Sequence, residues 1–180
     1  MKITVYCSAK DAIPEEYLAL GDALGAWIGV NGHVLVYGGA TGGLMTRVSE
    51  SCKAVGGYVI GVVPAKIINS GRKAHNCDEL YYVRKIAERK QAMRDMGDVT
   101  ICLPGSYGTL DEMMDVISSA TIGEHHKPLY VLNYKGFYDP LIRQIEIMRS
   151  LHFIPEQEAF KPIFVDTLEE FYQEIINHKS

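Results

Sequence analysis

The chain has 180 residues, 47% hydrophobic and 22% charged, within the range of soluble globular proteins and long enough to bury a core without covalent staples. A net charge of -4 gives no support to a nucleic-acid-binding or anionic-membrane-binding surface, both of which favour a basic face. No apolar run reaches the ~20 residues needed to span a bilayer.

The amino terminus, Met1 to Cys7, reads as a first strand rather than a signal peptide. Short β-rich runs then alternate with helical stretches. The expected strands are Ile3–Cys7, His33–Tyr37, Tyr58–Val63, Leu80–Val83, Val99–Leu103, Leu129–Leu132 and Ile163–Val165. Most are continuously apolar, as parallel strands covered on both faces must be. Helices are expected at Pro14–Val30, Leu44–Val55, Lys85–Met96, Leu110–Thr121, Phe137–Leu151 and Leu168–His178, with Pro14 as a first helical residue and Asn31-Gly32 as a stop. The longest irregular segment is Pro64–Asp78, which contains Asn69-Ser70-Gly71-Arg72-Lys73. No repeat, linker or low-complexity tract divides the chain. The pattern predicts one α/β domain over residues 1–180: a Rossmann-like, doubly wound parallel sheet of about seven strands with helices on both faces.

The four cysteines, Cys7, Cys52, Cys77 and Cys102, lack Cys-x-x-Cys spacing. That argues against a disulfide framework or zinc site and points to a cytoplasmic protein with reduced thiols. His125-His126 reads as a pair of solvent-exposed loop histidines, and Met45, Met93, Met113 and Met114 as core and interface packing.

In such a sheet, ligands bind beyond the carboxyl ends of the strands. Two of those ends are rich in glycine: Gly38-Gly39-Ala40-Thr41-Gly42-Gly43 after the second strand, and Pro104-Gly105-Ser106-Tyr107-Gly108-Thr109 after the fifth. Glycine lets backbone N–H groups approach an anion, and the start of a following helix favours negative charge. Neither turn has the Gly-Lys-Ser/Thr of a P-loop, and Gly38–Gly43 lacks G-x-G-x-x-G spacing, so a dinucleotide cofactor is disfavoured. Thr109-x-x-Glu112 also has the spacing of a capping box. So does Thr167-x-x-Glu170, where no glycine turn precedes it and a cap is the whole reading. Arg89-Lys90 is either a solvated helix face carrying intrahelical ion pairs or a fork for phosphate or carboxylate oxygens.

Tyr37-Gly38-Gly39, Gly43-Leu44-Met45, Gly61-Val62-Val63-Pro64, Arg89-Lys90-x-x-Met93 and Pro104 through Glu112 together resemble, in order, the motifs of the LOG ("lonely guy") family. These are cytokinin riboside 5′-monophosphate phosphoribohydrolases, also labelled lysine decarboxylase-like. The resemblance implies hydrolysis of the N-glycosidic bond of a nucleoside 5′-monophosphate, such as a cytokinin riboside 5′-monophosphate or AMP, to a free base and ribose 5-phosphate. It places the catalytic roles on Arg89 and Glu112. Nucleotide contacts fall on Lys90, Gly105, Ser106, Tyr107, Gly108, Thr109, Leu110, Asp111 and Ser118, and on Gly38, Gly39, Gly42 and Gly43 of the first turn. It implies a homodimer, a small-molecule nucleotide as partner, no nucleic acid or membrane, and no metal or organic cofactor. The sequence departs from the family pattern at Ala40, Thr46, Ile86-Ala87, Ser106 and Cys7-Ser8-Ala9-Lys10. Two other readings stay open: a non-catalytic nucleotide- or molybdenum-cofactor-binding protein of the same fold, and amino-acid decarboxylation on a lysine–pyridoxal phosphate Schiff base.

Overall fold

The computed structural model describes residues 1–69, 71 and 76–177. Of the irregular segment expected at Pro64–Asp78, Ser70, Arg72, Lys73, Ala74 and His75 lie outside the described residues, as does His178 at the end of the last helix. The strands are β1 (Lys2–Tyr6), β2 (Val34–Tyr37), β3 (Tyr58–Pro64), β4 (Glu79–Val83), β5 (Val99–Cys102), β6 (Leu129–Leu132) and β7 (Ile163–Val165). All pair in parallel in one sheet, ordered β4-β3-β2-β1-β5-β6-β7, so the chain reverses direction at β1 and β5. Crevices at such reversals are where α/β sheets take ligands. The expected fold class is therefore the observed one.

The helices are α1 (Glu15–Val30), α2 (Gly43–Ala54), α3 (Ala65–Asn69), α4 (Ile86–Met96), α5 (Tyr107–Thr121), α6 (Asp139–Ser150) and α7 (Leu168–Asn177). Alternation along the strands splits the core in two. Ile3, Val5, Leu35, Tyr37, Ile101 and Tyr130 pack under α1, α2 and α7, with Leu24, Val48 and Phe171 facing them. Tyr6, Val36, Cys102 and Val131 pack under α4, α5 and α6, against Met93, Met113 and Val116. Met45, Met93 and Met113 are core residues, and Met114 is half-buried.

Several sequence expectations are corrected. Pro14 is the N-cap of α1, one residue outside the helix. The stretch expected to be irregular holds the short helix α3. The fifth helix starts at Tyr107, three residues before Leu110, with Ser106 as N-cap; Thr109 is inside the helix and cannot cap it. The comparison motif does cap: the Glu170 amide donates to Thr167 Oγ1 at 3.2 Å, and the Asp166 amide donates to Glu170 Oε2 at 2.9 Å. His125 is half-buried rather than exposed, its Nε2 3.1 Å from the Val116 carbonyl and its ring against Phe160.

Packing between α1 and α2 depends on a pattern the sequence reading missed. Gly21, Gly25 and Gly29 recur every four residues and so share one face of α1. A Cβ on Gly25 would collide with the Val48 carbonyl oxygen, and one on Gly21 would stand 2.9 Å from Arg47 Cβ. The glycine stripe lets the helix backbones approach closely and draws the start of α2 toward the β1–α1 loop.

Candidate active site

The two glycine turns follow β2 and β5, on either side of β1 at the carboxyl end of the sheet, and do different things. At the start of α2 the amides are occupied by the protein itself. The Gly42 N–H donates to Thr46 Oγ1 and the Gly43 N–H to Asp11 Oδ1, each at 2.7 Å. Thr46, a departure from the family pattern, is thus a local cap. Gly39, at φ +60, and Gly38 are buried and serve close approach. A Cβ on Gly39 would strike Val63, and one on Gly38 would stand 2.7 Å from Arg89 Nη2. Gly38 thereby leaves room for the arginine.

The start of α5 is different. No side chain caps it. Gly108 meets the adjoining hollow with backbone alone, since a Cβ there would stand in open space. Gly105 keeps clear of Thr109, whose side chain a Cβ would overlap. Ser106 has φ -102, extended backbone that any residue adopts, so serine in place of the family's glycine introduces no strain. First-turn amides, a threonine hydroxyl and the helix dipole together make a place suited to an anion.

This hollow lies between the β1–α1 loop (Cys7–Lys10), Met45 of α2, Ile86 and Arg89 of α4, and Ser106, Thr109, Asp111 and Glu112 at the start of α5. Its floor is an ion pair. Arg89 Nη2 donates to Glu112 Oε1, and the two residues are only 7% and 5% exposed. Arg89 is therefore no part of a solvated face with intrahelical pairs; it reaches across to the next helix. Burial raises the Glu112 carboxyl to about 7, with Asp111 adding to the rise, against the opposing charges of Arg89 and Lys90. A carboxyl poised near neutrality, in a cleft and beside a fixed cation, has the signature of an acid–base group.

The remaining expected site residues spread outward from this floor. Lys90 pairs with Asp111 at 2.9 Å and with Asp115 at 3.4 Å, which holds its ammonium above its ordinary range. Lys90 and Ser118 line a second hollow with Asp111, Asp115 and Ser119, on the outer side of the α4–α5 seam. Asp111 borders both hollows. Tyr107 is 90% exposed, and Leu110 is half-buried against the core beneath α5. Gly38, Gly39, Gly42 and Gly43 do not line the hollow that holds Arg89 and Glu112. Ser8, Lys10, Met45 and Ile86 do line it; the sequence marks Ser8, Lys10 and Ile86 only as departures from the family pattern and Met45 only as a motif and packing residue, with no site role for any of them.

Among the described residues, no group of three or more His, Cys, Asp or Glu side chains is placed to hold a metal ion. No helix among them is long and apolar enough to cross a membrane.

The chain is similar to several known proteins. It is 35% identical over 171 residues to the cytokinin riboside 5′-monophosphate phosphoribohydrolase of Mycobacterium marinum, covering 95% of this chain and 91% of that one. It is 38% identical over 155 residues to the cytokinin riboside 5′-monophosphate phosphoribohydrolase LOG of Oryza sativa subsp. japonica, spanning 64% of that relative's length. Among solved structures, the molybdenum cofactor binding protein of Rippkaea orientalis superposes with a TM-score of 0.74 at 22% identity, covering 99% of this chain and 97% of that one. The molybdenum cofactor carrier protein of Chlamydomonas reinhardtii gives 0.72 at 18% identity, covering 98% and 96%. At such identities these two likenesses show the fold alone. The family model described as "Possible lysine decarboxylase" matches residues 45–175, which include Arg89, Glu112 and the whole of α5. With that match and the identity to the M. marinum and rice enzymes, the chain belongs to the LOG family.

Proposed function

We propose that this protein is a nucleoside 5′-monophosphate phosphoribohydrolase, acting on cytokinin riboside 5′-monophosphates and on AMP. The observation that carries the reading is the buried Arg89–Glu112 pair directly below the uncapped start of α5. A nucleotide's phosphate seats on the first-turn amides and Thr109, which brings the ribose over Glu112. Hydrolysis breaks the bond from C1′ to the base nitrogen and forms a bond from C1′ to a water oxygen. The proton shed by the water goes, by way of Glu112 or solvent, to the leaving base. As the old bond lengthens the ribose gains oxocarbenium character, which the Glu112 carboxylate stabilises while it orients the water. Arg89 holds that carboxylate in place, and Asp111 at the rim is suited to a ribose hydroxyl. A lysine–pyridoxal phosphate reaction gains no support: among the described residues, Lys10 is the one lysine lining the hollow, and it is exposed.

Incubation with AMP and N6-substituted adenosine monophosphates, followed by assay of ribose 5-phosphate, tests the reading. Wild type is expected to release it. Glu112→Gln, which keeps the shape and removes the charge, is expected to lose on the order of 10²-fold or more in kcat. Nucleotide binding without release in the wild type would instead favour a non-catalytic binding protein, as the names of the Rippkaea orientalis and Chlamydomonas reinhardtii neighbours describe those proteins. The same reading carries a cytoplasmic homodimer. Exposed Ile122 beside the outer hollow on α5, and exposed Leu151 and Phe153 after α6, support a surface covered by a second copy.

A further inference from the structure

Tyr6 ends β1, in register with Cys102 of β5. Strand alternation sends its ring to the α4–α5 side, while the next residue, Cys7, joins the core under α1 and α2. The ring belongs to the core cluster that includes Met93, one turn beyond Arg89, and Met113, the chain neighbour of Glu112. The phenol thus lies on the face of the sheet that α4 and α5 cover, near enough to Glu112 and Arg89 for both charges to act on it. It is 1% exposed, and its oxygen is buried without a hydrogen-bond partner. Arg89 Nε is likewise buried without one among the described residues. Buried polar atoms are nearly always satisfied, so an orphan on Arg89, which pairs with Glu112, and another on Tyr6, on which the Glu112 charge acts, call for an explanation. Glu112 meets Arg89 through Oε1. A carboxylate can accept several donors, and the phenol O–H is a donor in need of an acceptor.

We propose that Tyr6 is a positioning residue for the hydrolysis: its hydroxyl donates to the Glu112 carboxylate when a bound nucleotide draws on the Arg89 guanidinium. The inference rests on the phosphoribohydrolase reading of this site. It gives the carboxylate a second anchor while its first is shared with substrate, and it favours the charged form that the reaction uses. The electrostatics agree with this placement: after burial itself, the Glu112 charge contributes most to the rise in the Tyr6 phenol, and Arg89 opposes it. The other charged or titratable groups facing Glu112 and Tyr6 are Lys90 from α4, Asp111 and Asp115 from α5, Cys102 from β5 and Cys7 at the end of β1.

Tyr6→Phe fills the same space without the donor. The variant is expected to fold with an unchanged or higher Tm, to keep KM within about twofold, and to lose about tenfold in kcat. The acid limb of its pH profile should move upward by about one unit, because the bond removed favoured the ionised carboxylate. A variant that changes Tm alone, with kcat and the pH profile of wild type, would overturn the proposal and leave the hydroxyl structural. Wild type that releases no ribose 5-phosphate would overturn the phosphoribohydrolase reading instead. The Tyr6 proposal is then read from a carbon-13 NMR titration of the Glu112 carboxyl, with and without AMP. Tyr6→Phe must raise that titration in the presence of AMP, and an unmoved titration overturns the proposal on its own.

Discussion

Glu112 titrates near 7 inside the fold, well above an exposed glutamate, so between about 4.5 and 7 the folded chain holds a proton that the unfolded chain has released. Stability therefore falls as pH rises through that window, the reverse of the usual carboxylate contribution. Arg89 limits the loss by pairing with the ionised form. Arg89→Ala should then destabilise by about 3 kcal/mol or more at pH 8, where a buried charge is left alone, and by less at pH 6, where Glu112 takes up a proton. Urea denaturation of both proteins at the two pH values measures this; an equal loss at both would show that the pair contributes packing rather than charge. On the proposed mechanism the same titration governs activity. A step that uses the ionised carboxylate should give kcat/KM an acid limb near pH 7 in the free enzyme.

At the scale of elements, the two glycine turns look alike in sequence and differ in what their amides meet. The turn before α2 is closed by Asp11 and Thr46, and its glycines serve close packing. Gly38 gives a direct test, because its missing side chain is space that Arg89 uses. Gly38→Ala places a methyl 2.7 Å from Arg89 Nη2, the end of a side chain able to move. The expected result is a large loss of turnover, on the order of tenfold or more, with a Tm within a few degrees of wild type. Intact turnover would show that the arginine's position is not critical. The turn before α5 keeps its end uncapped, and there the spacing Thr109-x-x-Glu112 misled. Both motifs carry the same residue types, but Thr167 stands outside its helix while Thr109 stands inside, since α5 begins at Tyr107. Where a helix starts depends on backbone conformation that neither residue reports.

At the scale of the whole molecule, the site is a seam between halves of the sheet: α2 and the β1–α1 loop on one side, α4 and α5 on the other. Glycines on α1 fix how closely the first pair can approach. Gly25→Ala would press a methyl onto the Val48 backbone, which cannot rotate away as a side chain can, and should cost roughly 1–3 kcal/mol. Thermal denaturation tests this, with exposed Gly108 as a glycine whose neighbourhood has room to spare and whose backbone is helical. An unchanged Tm in Gly25→Ala would mean that α1 and α2 separate at little cost. By itself the sequence determined the α/β class, six of the seven α-helices among the described residues to within a few residues, and the two glycine turns at the carboxyl edge of the sheet. Hydrophobic periodicity and turn chemistry are local, and a single chain displays them. Strand order, the occupied amides of α2, the orphaned Tyr6 hydroxyl and the burial of Arg89 against Glu112 were decided only by the tertiary structure. Each depends on groups far apart in the chain being pressed together with water excluded, and burial is what turns an ordinary glutamate into one that titrates near neutrality.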